Sequence, residues 1–184
     1  MTLTNKKRIA GSLLLLLILV PVALAVRVYR GLPGEPLKVG TPAPRIAADP
    51  INGASPLPQS GRRVLVFFSP SCSHCRNTLA QLTLLREQHP EWFAGSSALQ
   101  WAFISIADRD ETEAFARGES WPIYHDASRA GFNSMGGFAL PYVVLLDEEG
   151  LVRHSHKSEV AIDHLGSLLG SFHAAPGVAH RTVR

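Results

Sequence analysis

Apolar runs predict buried strands in this chain. Val64–Phe68 contains only apolar residues, and Trp101–Ala107 is apolar except for Ser105. Such runs are typical of strands that are covered on both faces of a sheet. Leu140–Leu146 and Leu151–His154, separated by an acidic segment that ends in Gly150, predict two further strands joined by a tight turn.

Apolar residues at helical spacing predict three helices between and after these strands. The first is predicted from Ser73 to His89, where Pro90 ends it, and a shorter one from Asp110 to Arg117, with acids in its first turn. A closing amphipathic helix is expected to cover one face of the sheet. Its apolar stripe consists of Val160, Ala161, Leu165, Leu168, Leu169 and Phe172.

The N-terminal residues, 1–31, predict a membrane anchor or a signal segment. Ile9–Val26 carries no charge and follows the basic group Lys6–Arg8. Its length lies near the lower end of the range of about 17 to 25 residues that span a bilayer, but it exceeds the usual apolar stretch of a signal peptide, about 7 to 15 residues, so we expect an anchor. A signal peptide cleaved after Ala25 remains the alternative, which would leave a soluble periplasmic protein. In both cases the rest of the chain lies on the periplasmic or extracytoplasmic side.

The remaining chain has room for one domain with its own core, since the full length is 184 residues. Residues 32–58 are rich in Pro and Gly and predict a linker followed by a leading hairpin, with a turn at Asn52–Gly53. The domain core is predicted over residues 59–175, and a flexible tail over 176–184. The net charge of +3 is spread along the chain without a basic stripe, which argues against a nucleic-acid partner.

The chain contains two cysteines, Cys72 and Cys75, separated by Ser73 and His74. A bridge across so few residues removes little entropy from the unfolded chain, so a structural staple is not expected. Cys72 opens the predicted helix, where free backbone N–H groups and the helix dipole favour a thiolate. Cys75 lies one turn later and can resolve a mixed disulfide. The pair therefore predicts thiol–disulfide exchange with no cofactor beyond the Cys72–Cys75 disulfide.

His74 is a candidate for tuning this redox pair. A positive charge on its ring would stabilise the thiolate of Cys72, and stabilising the reduced form makes the disulfide a stronger oxidant. The alternative is a solvated histidine whose ring points away from the sulfur.

Three segments resemble the TlpA, ResA and CcmG group of membrane-anchored thioredoxin-like proteins. They are VGTPAPRI (39–46), VLVFFSPSCSHCR (64–76) and LPYVVLLDEEG (140–150), within a resemblance that extends roughly over 39–172. The resemblance implies a three-layer α/β thioredoxin-like fold with a central mixed sheet flanked by helices. It further implies that Cys72 is the nucleophile, Cys75 the resolving thiol and Pro141 a cis-proline that binds substrate together with Leu140.

The resemblance also implies partners, although the sequence leaves the redox direction open. Protein thiols or disulfides of secreted proteins, including apocytochromes, would be the substrates, and a membrane thiol carrier would supply electrons. Ser71 stands where many relatives have Trp, and Val66 where thioredoxin has a buried acid. The Ser–His dipeptide is closer to oxidase and isomerase motifs, which favours a less reducing potential than the family implies.

Three other functions are compatible with parts of this pattern. His154 and His156 could complete a zinc site with the two cysteines, but solvated histidines on one face of a hairpin strand are the commoner explanation, and we predict no metal. A peroxiredoxin-like peroxidase would use Ser69 but would need Pro where Leu65 stands. A non-catalytic client-binding or assembly factor of the same fold is the third alternative.

Overall fold

A computed structural model describes residues 19–22, 37–94, 98–159 and 161–174. The chain divides into two compact units, Met1–Pro33 and Gly34–Arg184. The first unit is described only at residues 19–22, which are helical, so the predicted anchor or signal otherwise lies outside the described residues, as does the predicted tail. Among the described residues, no helix combines the length and the apolar character needed to cross a membrane.

A six-stranded mixed sheet forms the centre of the second unit, with the strand order β1-β4-β3-β2-β5-β6. The strands are β1 (Asp49–Pro50), β2 (Arg63–Phe68), β3 (Gln100–Ser105), β4 (Ile123–His125), β5 (Tyr142–Leu146) and β6 (Val152–Lys157). Strand β3 runs parallel to both β2 and β4, whereas β5 pairs antiparallel with β2 and β6. This mixed sheet and its flanking helices confirm the predicted α/β thioredoxin-like fold.

Helices and loops cover both faces of the sheet. The helices are α1 (Ser73–Gln88), α2 (Arg109–Ala116), α3 (Ala130–Ser134) and α4 (Ile162–Ala174), with a 3-10 turn at Pro90–Trp92. Alternate residues of β2 point to opposite faces, because side chains along a strand alternate in direction. Val64, Val66 and Phe68 pack with leucines of α1 and α4, whereas Leu65 and Phe67 pack with α3 and with the segment before β2.

The apolar stripe of the closing helix is confirmed from Leu165 onward, whereas Ala161 precedes the helix and is exposed, and Val160 lies outside the described residues. Leu165, Leu169 and Phe172 are buried against the same core as α1, and Leu168 packs against it. The predicted hairpin of β5 and β6 is also present, with Gly150 at a positive φ of 79° in its turn. Its second strand continues to Lys157, three residues beyond the predicted end at His154.

The leading segment differs from the predicted hairpin. Pro42 bridges Leu151 at the β6 edge of the sheet, whereas β1 pairs antiparallel with β4 at the opposite edge. Between these points the segment crosses one face of the sheet and buries Ile46 in the core there. Pro42 and Pro44 lack the N–H groups that a continuing ladder requires, so the chain leaves the β6 edge instead of folding back on itself. The predicted turn at Asn52–Gly53 is present, since the Gly53 N–H donates to the Ile51 carbonyl over 2.6 Å.

Strand β4 and helix α3 complete the fold and were not predicted. Both are short, with three and five residues, and neither has a long periodic pattern. The carboxylate of Asp126, between them, accepts a hydrogen bond of 2.9 Å from the Phe132 N–H and is 1% exposed. This buried acid satisfies a free donor in the first turn of α3.

Candidate active site

Cys72 lies where α1 begins, as the sequence predicts. Strand β2 ends at Phe68, and the Cys72 N–H donates to the Ser69 carbonyl over 3.1 Å, which closes the turn between strand and helix. The Cys72 Sγ then accepts a hydrogen bond of 3.3 Å from the Cys75 N–H, so the sulfur itself caps the helix. Both cysteines are free thiols, and Cys72 is half-buried. The first sulfur therefore receives a backbone donor of the kind that stabilises a thiolate.

Cys75 is buried directly behind Cys72, with 1% of its surface exposed. Burial, together with the hydrogen bond and the charge of the neighbouring Cys72, raises the pKa of the Cys75 thiol to about 12. The backbone of Ser69 and the charge of Arg76 partly oppose this rise. No carboxylate is among these groups, and the position that holds a buried acid in thioredoxin is the apolar Val66, which is 1% exposed. The two thiols thus differ in accessibility, and the Cys75 thiol keeps its proton at neutral pH.

Pro141 immediately precedes β5, and the Leu140–Pro141 peptide bond is cis, as the resemblance implies. Because Tyr142 lies opposite Phe67 in the antiparallel pairing, Pro141 falls beside Phe68, four residues before Cys72. The Pro141 carbonyl accepts a hydrogen bond of 2.9 Å from the Ser158 N–H. The pairing therefore places the proline at the same end of the sheet as the redox turn. That Leu140 and Pro141 bind substrate stays a prediction.

His74 is held by Glu159, a residue that no sequence pattern singles out. Its Nδ1 lies 2.7 Å from Oε2 of Glu159, whose Oε1 accepts a hydrogen bond of 3.2 Å from the Asn77 amide. The side chains of His74 and Glu159 are 64% and 32% exposed. Glu159 is 85 positions away along the chain, so only the fold brings it to α1. No local sequence pattern could have indicated this contact.

Histidines 154, 156 and 164 lie near one another, away from the cysteine motif in sequence. The ring centroids of His154 and His156 are 6.4 Å apart, and those of His156 and His164 are 6.3 Å apart. Burial, aided by the neighbouring imidazoles, lowers the pKa of His154 and His156. Within residues 37–94, 98–159 and 161–174, no group of three or more His, Cys, Asp or Glu side chains is arranged to hold a metal ion.

Comparison with known proteins relates this fold to thiol–disulfide enzymes. No family model and no curated protein sequence matches the chain. A thioredoxin domain of a thiol-disulfide oxidoreductase from Bacteroides vulgatus is 20% identical with a TM-score of 0.58, and covers 74% of this chain and 98% of its own. A thiol-disulfide isomerase from Corynebacterium glutamicum is 19% identical with a TM-score of 0.57, covering 73% and 98%. StoA from Bacillus subtilis is 16% identical with a TM-score of 0.52, covering 67% and 98%.

At these low identities the likeness shows the fold alone, and the TM-scores confirm that this fold is thioredoxin-like. The chain covers nearly the whole length of each of these three structures. The likeness therefore includes the complete thioredoxin-like domain. What the two cysteines do in this protein follows from their own geometry.

Alkylation of the reduced protein at pH 8 is expected to modify Cys72 at least about tenfold faster than Cys75. A thiol with a pKa near 12 keeps its proton at this pH, and Cys75 is also shielded from reagent. Limited iodoacetamide followed by fragment-ion mass spectrometry of the peptide 64–76 measures the ratio. In denaturant both thiols regain similar reactivity, which provides the control. Equal labelling in the native protein would contradict the assigned roles.

Proposed function

We propose that this protein is an enzyme, an extracytoplasmic thiol–disulfide oxidoreductase that exchanges disulfides with secreted or membrane-associated proteins. One observation carries the proposal: the Cys72 Sγ opens α1 and accepts the Cys75 N–H, with the second sulfur buried one turn later. A half-buried nucleophile backed by a protected thiol is the arrangement that disulfide exchange requires. The placement of the redox turn and of Pro141 at one end of the sheet supports it.

The exchange proceeds in two balanced steps. The Cys72 thiolate attacks one sulfur of a client disulfide, which forms a mixed disulfide and releases the other client sulfur as a thiolate. Cys75 then gives its proton to the client thiolate released in the first step and attacks the Cys72 sulfur, which breaks the mixed disulfide, forms the Cys72–Cys75 disulfide and releases the second client sulfur as a thiolate. The client gains two electrons and the protein loses two. Oxidation of a dithiol client is the same sequence in reverse.

Client chains are proposed to lie against Leu140 and Pro141. Leu140 is half-buried between the two cores, and Phe138, close before it, is 55% exposed. The Lys157 ammonium lies 3.3 Å from the centroid of the Phe138 ring, which helps to fix this aromatic side chain. The result is an apolar surface beside the proline that suits an extended polypeptide.

The proposed location and electron supply rest on the N-terminal sequence. The apolar segment within residues 1–31 is proposed to anchor the domain on the periplasmic or extracytoplasmic face, or to be cleaved after export. In the reducing direction, a membrane thiol carrier would return two electrons to the Cys72–Cys75 disulfide after each turnover. Apocytochromes in cytochrome c maturation form one class of client within this proposal.

Equilibration with glutathione buffers tests the redox activity. We expect reversible formation of the Cys72–Cys75 disulfide with a potential of about −180 to −230 mV, the range of isomerases and glutaredoxins. Trapping of thiols followed by mass spectrometry measures the oxidised fraction. A potential near −270 mV, that of thioredoxin, would contradict the less reducing motif. A pair that does not form a disulfide reversibly would overturn the proposed function.

A further inference from the structure

The turn after β6 contacts both sides of the candidate active site. Ser158 has a left-handed φ of 77°, an uncommon conformation for a residue with a side chain. Its N–H donates to the Pro141 carbonyl over 2.9 Å. The next residue, Glu159, reaches α1, where its two carboxylate oxygens bind His74 and Asn77. Two consecutive residues therefore connect the cis-proline with the helix that carries the cysteines.

The contact between Glu159 and His74 determines which nitrogen of the His74 ring carries a proton. The hydrogen bond from His74 is the main cause that lowers the pKa of Glu159, so this carboxyl is ionised at neutral pH. An ionised carboxylate only accepts hydrogen bonds, and therefore Nδ1 of His74 carries a proton directed at Glu159. Among the described residues, Cys75 supplies the hydrogen bonds to the Cys72 Sγ, with its N–H at 3.3 Å, and the imidazole of His74 donates none.

We propose that Glu159 is a positioning residue that sets the redox poise of the cysteine pair by holding His74 and compensating its charge. This inference rests on the proposed function. The Glu159 carboxylate lies 2.7 Å from Nδ1 of His74, so its negative charge opposes the positive end of the imidazole N–H, and the thiolate gains little from the ring. Without the carboxylate, the positive end of the imidazole acts unopposed and stabilises the Cys72 thiolate. Because stabilising the reduced form makes the disulfide more oxidising, Glu159 keeps the protein less oxidising than its Cys-Ser-His-Cys motif alone would.

The substitution Glu159→Gln tests this directly, since glutamine keeps the shape and an acceptor oxygen but removes the charge. We expect the equilibrium constant with glutathione to shift about threefold toward the reduced protein, a modest effect because the pair is partly exposed. For a two-electron couple this corresponds to a potential higher by about 14 mV. The matched control is Glu148→Gln, at an exposed position of the β5–β6 turn, which changes the net charge equally. It is expected to leave the equilibrium unchanged.

A double-mutant cycle shows whether Glu159 acts through His74. In a His74→Ala background, Glu159→Gln is expected to shift the equilibrium less than about 1.5-fold, because the compensated group is gone. An equal shift in both backgrounds, or one no larger than that of Glu148→Gln, would overturn the inference. If the unsubstituted protein equilibrates with glutathione and only these shifts are missing, the proposed function stands and the role of Glu159 fails. If the unsubstituted protein does not equilibrate, both are wrong.

Discussion

Replacing Cys75 with Ser is expected to strand client proteins on Cys72 as mixed disulfides. The second step of exchange is an intramolecular attack by Cys75, which lies behind the first sulfur. Positioned groups react at effective concentrations far above those of millimolar external thiols. Without this attack, the lifetime of the mixed disulfides should therefore increase about a hundredfold. Non-reducing electrophoresis of acid-quenched cells, followed by mass spectrometry of the complexes, identifies the clients.

The controls are the variant Cys72→Ser and the variant that lacks both cysteines. Neither variant should form mixed disulfides with clients, since Cys72 is the accessible sulfur and Cys75 is 1% exposed. The redox state of the captured proteins also reveals the direction of transfer in the cell. Complexes in the Cys72→Ser variant would reverse the assignment of nucleophile and resolving thiol. If the Cys75→Ser variant forms no mixed disulfides in the native host, this result would count against the oxidoreductase function itself.

Replacing Phe67 with Ala is expected to lower the free energy of unfolding by about 3 to 5 kcal/mol. Phe67 is completely buried in β2. Its ring lies 5.6 Å from that of Phe132 and 5.9 Å from that of Tyr142, centroid to centroid. The substitution leaves a cavity between β2, α3 and the start of β5, where these side chains are too tightly packed to collapse fully. Urea denaturation monitored by circular dichroism measures the loss.

The matched control is Leu84→Ala on α1. Leu84 is 49% exposed, and its replacement by a better helix former should change stability by less than about 0.5 kcal/mol. If Phe67→Ala cost less than about 1 kcal/mol, the described packing around β5 would be wrong. Measuring both variants with the cysteines reduced keeps the covalent state of the chain constant.

The parts of the fold that the sequence predicted have strong local signals. The apolar run of β2 fixes a buried strand, and the leucines of α1 recur at helical spacing, so both elements are recognisable without tertiary information. The short spacing of Cys72 and Cys75 likewise places both sulfurs on one helix turn. For the cis bond at Pro141, local physics left both isomers open, and only the family resemblance selected the observed one.

The features that the sequence did not reveal depend on distant contacts. Strand β4 has only three residues and is held by pairing with β1 and β3, which no local pattern specifies. The path of the leading segment depends on which sheet edges remain available after the other strands have paired. Glu159 resembles any surface acid until the turn at Ser158 directs it toward α1. Contacts between residues distant in sequence, and not residue type, determine the position of β4, of the leading segment and of Glu159.

The leading segment pairs with the sheet near Pro42 and again at β1, and this affects where the domain can begin. By crossing the sheet it shields one of the two cores from water and places Ile46 and Leu57 there, both ahead of residue 59. A polypeptide that begins at residue 59 would lack these side chains and would therefore expose hydrophobic surface around Met135 to solvent. We therefore expect the smallest autonomous folding unit to include the segment between Pro42 and β1.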